Sequence, residues 1–215
     1  MEERVNIQMK ELDLQYGGGV TPSSAKITPT ADSCVILNMG GTGCRAGVEA
    51  LEKMRQAASL GISKRMVLAG EIVLDAVGRQ GLTALAGHRS DTVRGWVCYA
   101  LAHQFALEIP AQPLESRLEA VRPLADDAHF GVREWAWLAV RPHIAAQPQQ
   151  AINYLAGWAL APSERVRRFA SESTRPRGVW CAHMNLLKEH PALGLPVLEP
   201  LKDDPSRYVQ DSVGN

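Results

Sequence analysis

The sequence predicts an all-α solenoid of stacked helix pairs, and three observations carry that prediction. A short motif recurs: Asp91-Thr-Val93-Arg94-Gly-Trp96, Gly131-Val132-Arg133-Glu-Trp135, Glu164-Arg-Val166-Arg167-Arg-Phe169 and Arg207-Tyr-Val209-Gln210. The valines lie 39, 34 and 43 residues apart. A second signature holds the same register, with Pro123-Leu-Ala-Asp126-Asp127 nine residues before Val132 and Pro200-Leu-Lys-Asp203-Asp204 nine before Val209. A third does too, since Arg141-Pro142 follows Val132 by nine and Arg175-Pro176 follows Val166 by nine. A period near 40 with helical periodicity and Pro/Asp turns describes HEAT-like (armadillo-type) units. Such units cannot bury their apolar faces alone. They stack into a curved array with one concave surface.

The elements follow in order. Residues 1–43 hold Gly17–Gly19 and a run of Thr, Pro and Ser, which reads as a flexible N-terminal arm. Residues 44–215 form the repeat domain. Within it, 44–60 and 62–78 carry apolar residues at three- and four-residue spacing and read as amphipathic helices, with Gly61 as the turn between them. In each later unit Asp or Ser caps the first helix. The repeat Val and the aromatic three residues on face the core, and Pro after Arg ends or kinks the helix. Second helices are expected over 151–160 and 179–188. The chain stops at Asn215, about two turns into the first helix of a fourth unit, so the last repeat is expected to be incomplete.

Composition limits the function classes. The chain has 215 residues, 23 Lys plus Arg against 23 Asp plus Glu, and 46% hydrophobic residues. Zero net charge excludes a histone-like polycation and an acidic disordered tail. Cys34, Cys44, Cys98 and Cys181 include no CxxC pair, which argues against a disulfide framework or structural zinc. The polar start, MEERVNIQMKELD, is no secretory signal. No apolar run is long enough to span a bilayer. A soluble, cytoplasmic protein is the expectation. Residues 86–215 hold twelve Arg but only Lys188 and Lys202 as lysines. That bias suits planar recognition of phosphate or carboxylate, and it equally suits a GC-rich genome.

Chemistry concentrates between Glu164 and Trp180. Arg168, Glu172 and Arg175 are spaced four and three apart and share a helix face. Arginines there could neutralise phosphates, or Glu172 could order Arg168 and Arg175 in an internal ion-pair set. Glu172 stands where the other units have Tyr99 and Leu138, and a carboxylate in an apolar repeat position points to function. Near a ribose, such a carboxylate can stabilise an oxocarbenium-like centre. Trp137 and Trp180 do not repeat, so each is either core or an indole for stacking and cation–π contact. The glycines of Gly40–Gly47 weakly resemble a nucleotide-binding turn, which would require a parallel sheet. There is no HExxH and no GxSxG, and a metal site is not expected.

These stretches, SDTVRGWVCYALA, PLADDAHFGVREWAWLAVRPHIA, SERVRRFASESTRPRGVWCAH and PLKDDPSRYVQDSV, resemble the HEAT-like DNA alkylation repair family of the AlkC/AlkD type, and AlkC more closely. The resemblance covers about residues 44–215 and is sharpest over 88–213. It implies a solenoid whose concave basic face holds duplex DNA. It also implies glycosylase-type removal of cationic alkylated purines, 3-methyladenine and 7-methylguanine, without a cofactor and without full base flipping. On this reading Glu172 and Trp180 are the catalytic pair, and Arg133, Trp137, Arg165, Arg168, Arg175 and Arg177 contact DNA, with Glu134 in the same cleft. The partner would be alkylated duplex DNA, bound by a monomer. The alternative is a non-catalytic HEAT-repeat scaffold that binds nucleic acid or protein, a reading that allows Glu172 to be buried by its arginine pairs.

Overall fold

The structure is a computed structural model that describes residues 52–53, 60–178 and 180–214. Among these every regular element is helical and no strand occurs, as expected. In chain order the α-helices are α1 (Ile62–Ala86), α2 (Asp91–Leu107), α3 (Leu114–Ala125), α4 (Phe130–Ala146), α5 (Pro148–Trp158), α6 (Glu164–Thr174), α7 (Asn185–Glu189), α8 (Leu195–Leu198) and α9 (Arg207–Val213). Short 3₁₀ turns flank α8 at Pro191–Gly194 and Glu199–Leu201. The arm, most of the helix expected over 44–60, and the glycines of Gly40–Gly47 lie outside the described residues.

The repeat motif builds the first helix of each unit. α2, α4, α6 and α9 pack side by side in that order, and α3, α5 and α8 form a second layer against them. Val93, Val132, Val166 and Val209 are all buried, and so are Trp96, Trp135 and Phe169, three residues on. Each Val–aromatic pair lies on one helix face and meets the neighbouring unit, so the core runs continuously through the stack.

The residue after each valine has a different job. Arg94 donates to Asp127 through Nε (2.6 Å) and Nη2 (3.0 Å), and to the carbonyl of His88 in the loop before its own helix. Arg167 repeats this arrangement with Asp204 at 2.6 and 3.0 Å and with the carbonyls of Ala161 and Pro162. Arg133 bonds the carbonyls of Asp127 and Ala128, and Gln210 bonds the carbonyl of Asp204. Arg94 and Arg167 thus staple one helix to the loops of its own and the next unit, and Arg133 staples its helix to its own loop.

Several local expectations change. Asp127 and Asp204 do not sit at the helix N-cap. Each accepts from the backbone N–H two residues on, of His129 and Ser206, and so shapes the loop ahead of the helix. Ser163 is a true cap, accepting from the N–H of Arg165. Pro142 lies inside α4, which continues to Ala146, whereas Pro176 follows the end of α6. α1 runs past the expected end at Gly78. That residue has φ 63° and ψ −179°, a conformation essentially confined to glycine, and it divides α1 into two helical stretches. The second helix expected over 179–188 shrinks to α7. The preceding loop is held open by Arg141, which bonds the carbonyls of Arg175 and Ala182, and closed by Met184 N–H donating to Pro176 at 3.0 Å.

Gly95 shows how tightly the units pack. A Cβ there would lie 1.9 Å from Cε3 of Trp135, a large ring already buried between units. Gly95→Ala therefore forces α2 and α4 apart. We expect a loss of about 1–3 kcal/mol, read as a lower denaturant midpoint, whereas Gly157→Ala, which meets nothing nearby, should stabilise or change little.

Candidate functional site

The candidate site lies where α4, α6 and α9 meet. α6 has one strongly polar face, and repeat geometry turns part of that face inward. Glu172 is 1% exposed. Both of its oxygens are occupied, with Arg168 Nη2 at 3.3 Å from Oε1 and Arg175 Nη1 at 2.9 Å from Oε2. Arg168 also donates to Glu134 of α4 at 2.6 Å. Glu134 in turn accepts from the indole Nε1 of Trp137 at 2.8 Å. The guanidinium of Arg168 stands 4.4 Å from the centre of the Tyr208 ring on α9, and that of Arg133 stands 5.0 Å from it. Arg133 also donates to the Tyr208 hydroxyl at 2.9 Å.

The result is a chain of alternating charge, Glu134–Arg168–Glu172–Arg175, ended on one side by an indole and backed by a phenol ring. Burial opposes the charge on Arg168. The carboxylates of Glu134 and Glu172 outweigh that cost and hold its pKa above the ordinary arginine value. Arg141 is 2% exposed and donates to the carbonyl of Ser173, filling one of the open acceptors at the end of α6. Burial pushes its pKa below the ordinary value. Cys181, half-buried beside it, has its thiol pushed up by burial despite Arg141 and Arg175, so it is no activated thiolate.

The structure sorts the residues expected at the site. It brings Glu172, Arg168, Arg175, Glu134 and Trp137 together. It leaves Trp180 exposed at 47% and Arg177 exposed, both on the loop after α6. Trp137 and Arg168 are buried rather than presented on an open face. Trp137 fills the position that Cys98 and Ser171 fill in the flanking units, and Arg168 is enclosed by the two carboxylates and Tyr208. Arg133 is engaged by Tyr208 and two loop carbonyls, and Arg165 donates to the carbonyl of Asp126. These internal bonds, rather than solvent, hold Arg133 and Arg165. Sequence reasoning missed Arg141 and Tyr208 as parts of the assembly. Arg141 was visible as a repeat marker, but its partners lie 32 to 41 residues away.

No group of His, Cys, Asp or Glu among the described residues could hold a metal ion. No described helix is long and apolar enough to cross a membrane.

Comparison with known proteins gives the fold its place. The search against family models finds no match. The uncharacterized protein YhaZ of Bacillus subtilis is 37% identical over 97 residues, which is 45% of this chain and 26% of that protein. The alkylpurine DNA glycosylase AlkC of Pseudomonas fluorescens, solved bound to DNA containing an abasic site analog, superposes with a TM-score of 0.65 and 21% identity. This chain has the fold of AlkC. The likeness covers 86% of this chain and 49% of the AlkC chain, so the chain spans about half of that relative's length and about a quarter of YhaZ.

Proposed function

We propose that this protein acts in DNA alkylation repair, releasing cationic alkylated purines, 3-methyladenine and 7-methylguanine, from duplex DNA. One observation carries the reading. A carboxylate, Glu172, replaces an apolar repeat residue at the centre of an Arg–Glu array, in a chain with the fold of a DNA-bound alkylpurine glycosylase.

The chemistry asks little of the protein. When the N-glycosidic bond of a cationic purine breaks, the bonding electrons return to the base and neutralise it. Positive charge then develops on the sugar at C1′, water adds there, and its proton is lost to solvent. No strong general acid is required. A carboxylate aimed at the sugar stabilises the developing charge, and an indole face can add to that stabilisation. Glu172 takes the first role in this proposal and Trp180, exposed on the adjoining loop, the second. Arg175 and Arg177 contact the DNA backbone.

A second reading has its own observation. Glu172 is 1% exposed with both oxygens paired, an arrangement that suits a non-catalytic scaffold for nucleic acid or protein equally well. The two readings separate in one assay. Duplex DNA treated with a methylating agent is incubated with the protein, and free methylated purines are quantified. Release supports the glycosylase. Salt-sensitive DNA binding with no release supports the scaffold.

A further inference from the structure

Each arginine from Arg94 to Arg175 has a partner within the protein, through carboxylate, carbonyl, imidazole or phenol. The side chains of Arg177 and Lys188 break this pattern. Both are exposed, and neither has a hydrogen-bond or ion-pair partner among the described residues. They converge. Together with Arg175 they line a cleft of about 370 Å³ between the end of α6, the loop that follows it, α7, α8 and the end of α9. Its remaining walls include the apolar residues Leu187, Leu198 and Val213, and no Asp or Glu lines it. A concave site with three cations and no acid is built for an anion, and its size falls within the range of small-ligand sites.

We propose that this cleft is a phosphate-binding site, and that on the glycosylase reading it receives a backbone phosphodiester of the bound DNA. Arg175 belongs to both places. Its Nη1 holds Oε2 of Glu172 at 2.9 Å, and the residue also lines the cleft. A phosphate in the cleft therefore competes with Glu172 for one guanidinium, which ties occupancy of the cleft to the release of the buried carboxylate. Lys188 supplies a charge that neither the repeat pattern nor the family resemblance marks.

The test uses the full chain and the double variant Arg177→Gln, Lys188→Gln. Both residues are solvent-exposed and unpartnered, so the fold should hold, and a matching helical circular dichroism spectrum checks this. Each single variant serves if the pair does not fold. Inorganic phosphate is the first probe, followed by line broadening in phosphorus NMR. Undamaged duplex DNA is the second, with affinity measured across a salt series. The proposal expects phosphate broadening with the wild type that is lost in the double variant, and a salt slope reduced by about 0.9, the value for one phosphate contact removed. Broadening that persists in the variant, or is absent from the wild type, overturns the site. Lost phosphate binding with an unchanged salt slope overturns DNA as its source and assigns the cleft to a small phosphate compound. Base release by the wild type is scored separately. Its absence, with the phosphate result intact, rejects the glycosylase reading and leaves the cleft standing.

Discussion

Glu172→Gln should lower release of methylated purines by at least about tenfold, because a charge interaction made in the transition state is worth more than about 1.4 kcal/mol. The amide keeps the shape of the carboxylate and one acceptor oxygen, so Arg168 or Arg175 retains a partner. Arg168 also keeps Glu134 at 2.6 Å, which limits the damage to the fold. Affinity for undamaged duplex DNA should survive the change, since Glu172 is 1% exposed and contributes no cation. Trp180→Ala is the companion variant. The indole is 47% exposed, so its truncation should cost little stability while reducing release if it faces the reacting sugar. The measurement is a single-turnover rate on methylated duplex DNA, normalised to folded protein by circular dichroism. A Glu172→Gln protein that is less stable but releases bases at the wild-type rate would assign Glu172 to the internal ion-pair set alone.

The fold could be read from the sequence because the solenoid repeats its physics. Val93, Val132, Val166 and Val209 announce one buried position four times, and the aromatics three residues on announce the same helix face. The direction of the polar groups could not be read in the same way. Arg94, Arg133 and Arg167 look like a row of surface cations, yet each reaches back to a loop and is consumed there. An arginine long enough to reach a phosphate is long enough to reach a carbonyl, and only the loop's position decides between them. Residues 179–188 mislead for a related reason. Their composition permits a helix, but Arg141 arrives from another unit and fixes the carbonyls of Arg175 and Ala182, and residues 180–184 stay a loop ahead of α7. The carboxylate at 172 stood out against Tyr99 and Leu138. Its enclosure by Arg168 and Arg175 is an arrangement that the scaffold reading allows.

Asp204→Ala should cost about 3 kcal/mol or more, the usual penalty for removing one partner of a largely buried ion pair. Asp204 is 3% exposed at its side chain and Arg167 is 15% exposed, so the pair is little screened by solvent. The loss has two parts. The bidentate contact with Arg167 disappears, leaving a guanidinium held only by two carbonyls, and the N–H of Ser206 ahead of α9 loses its acceptor. Because α9 carries Tyr208 against Arg168, loosening this loop should also disturb the candidate site. The same pair sets a pH dependence. The hydrogen bond from Arg167 holds the Asp204 pKa below its ordinary value. For Asp127, burial works the other way, but Arg94 and the His129 N–H prevail and lower its pKa too. A carboxylate with a depressed folded pKa contributes stability that is complete above its unfolded value, about 3.9, and is lost as pH falls through the folded value. Wild-type stability should therefore fall steeply below about pH 4. Asp204→Asn should be less stable at neutral pH and show a shallower acid loss, because the charge that protonation removes is already gone. Denaturant midpoints from pH 7 to pH 3 test both statements. Equal acid slopes in wild type and Asp204→Asn would show that the staple carries no pH-dependent stability.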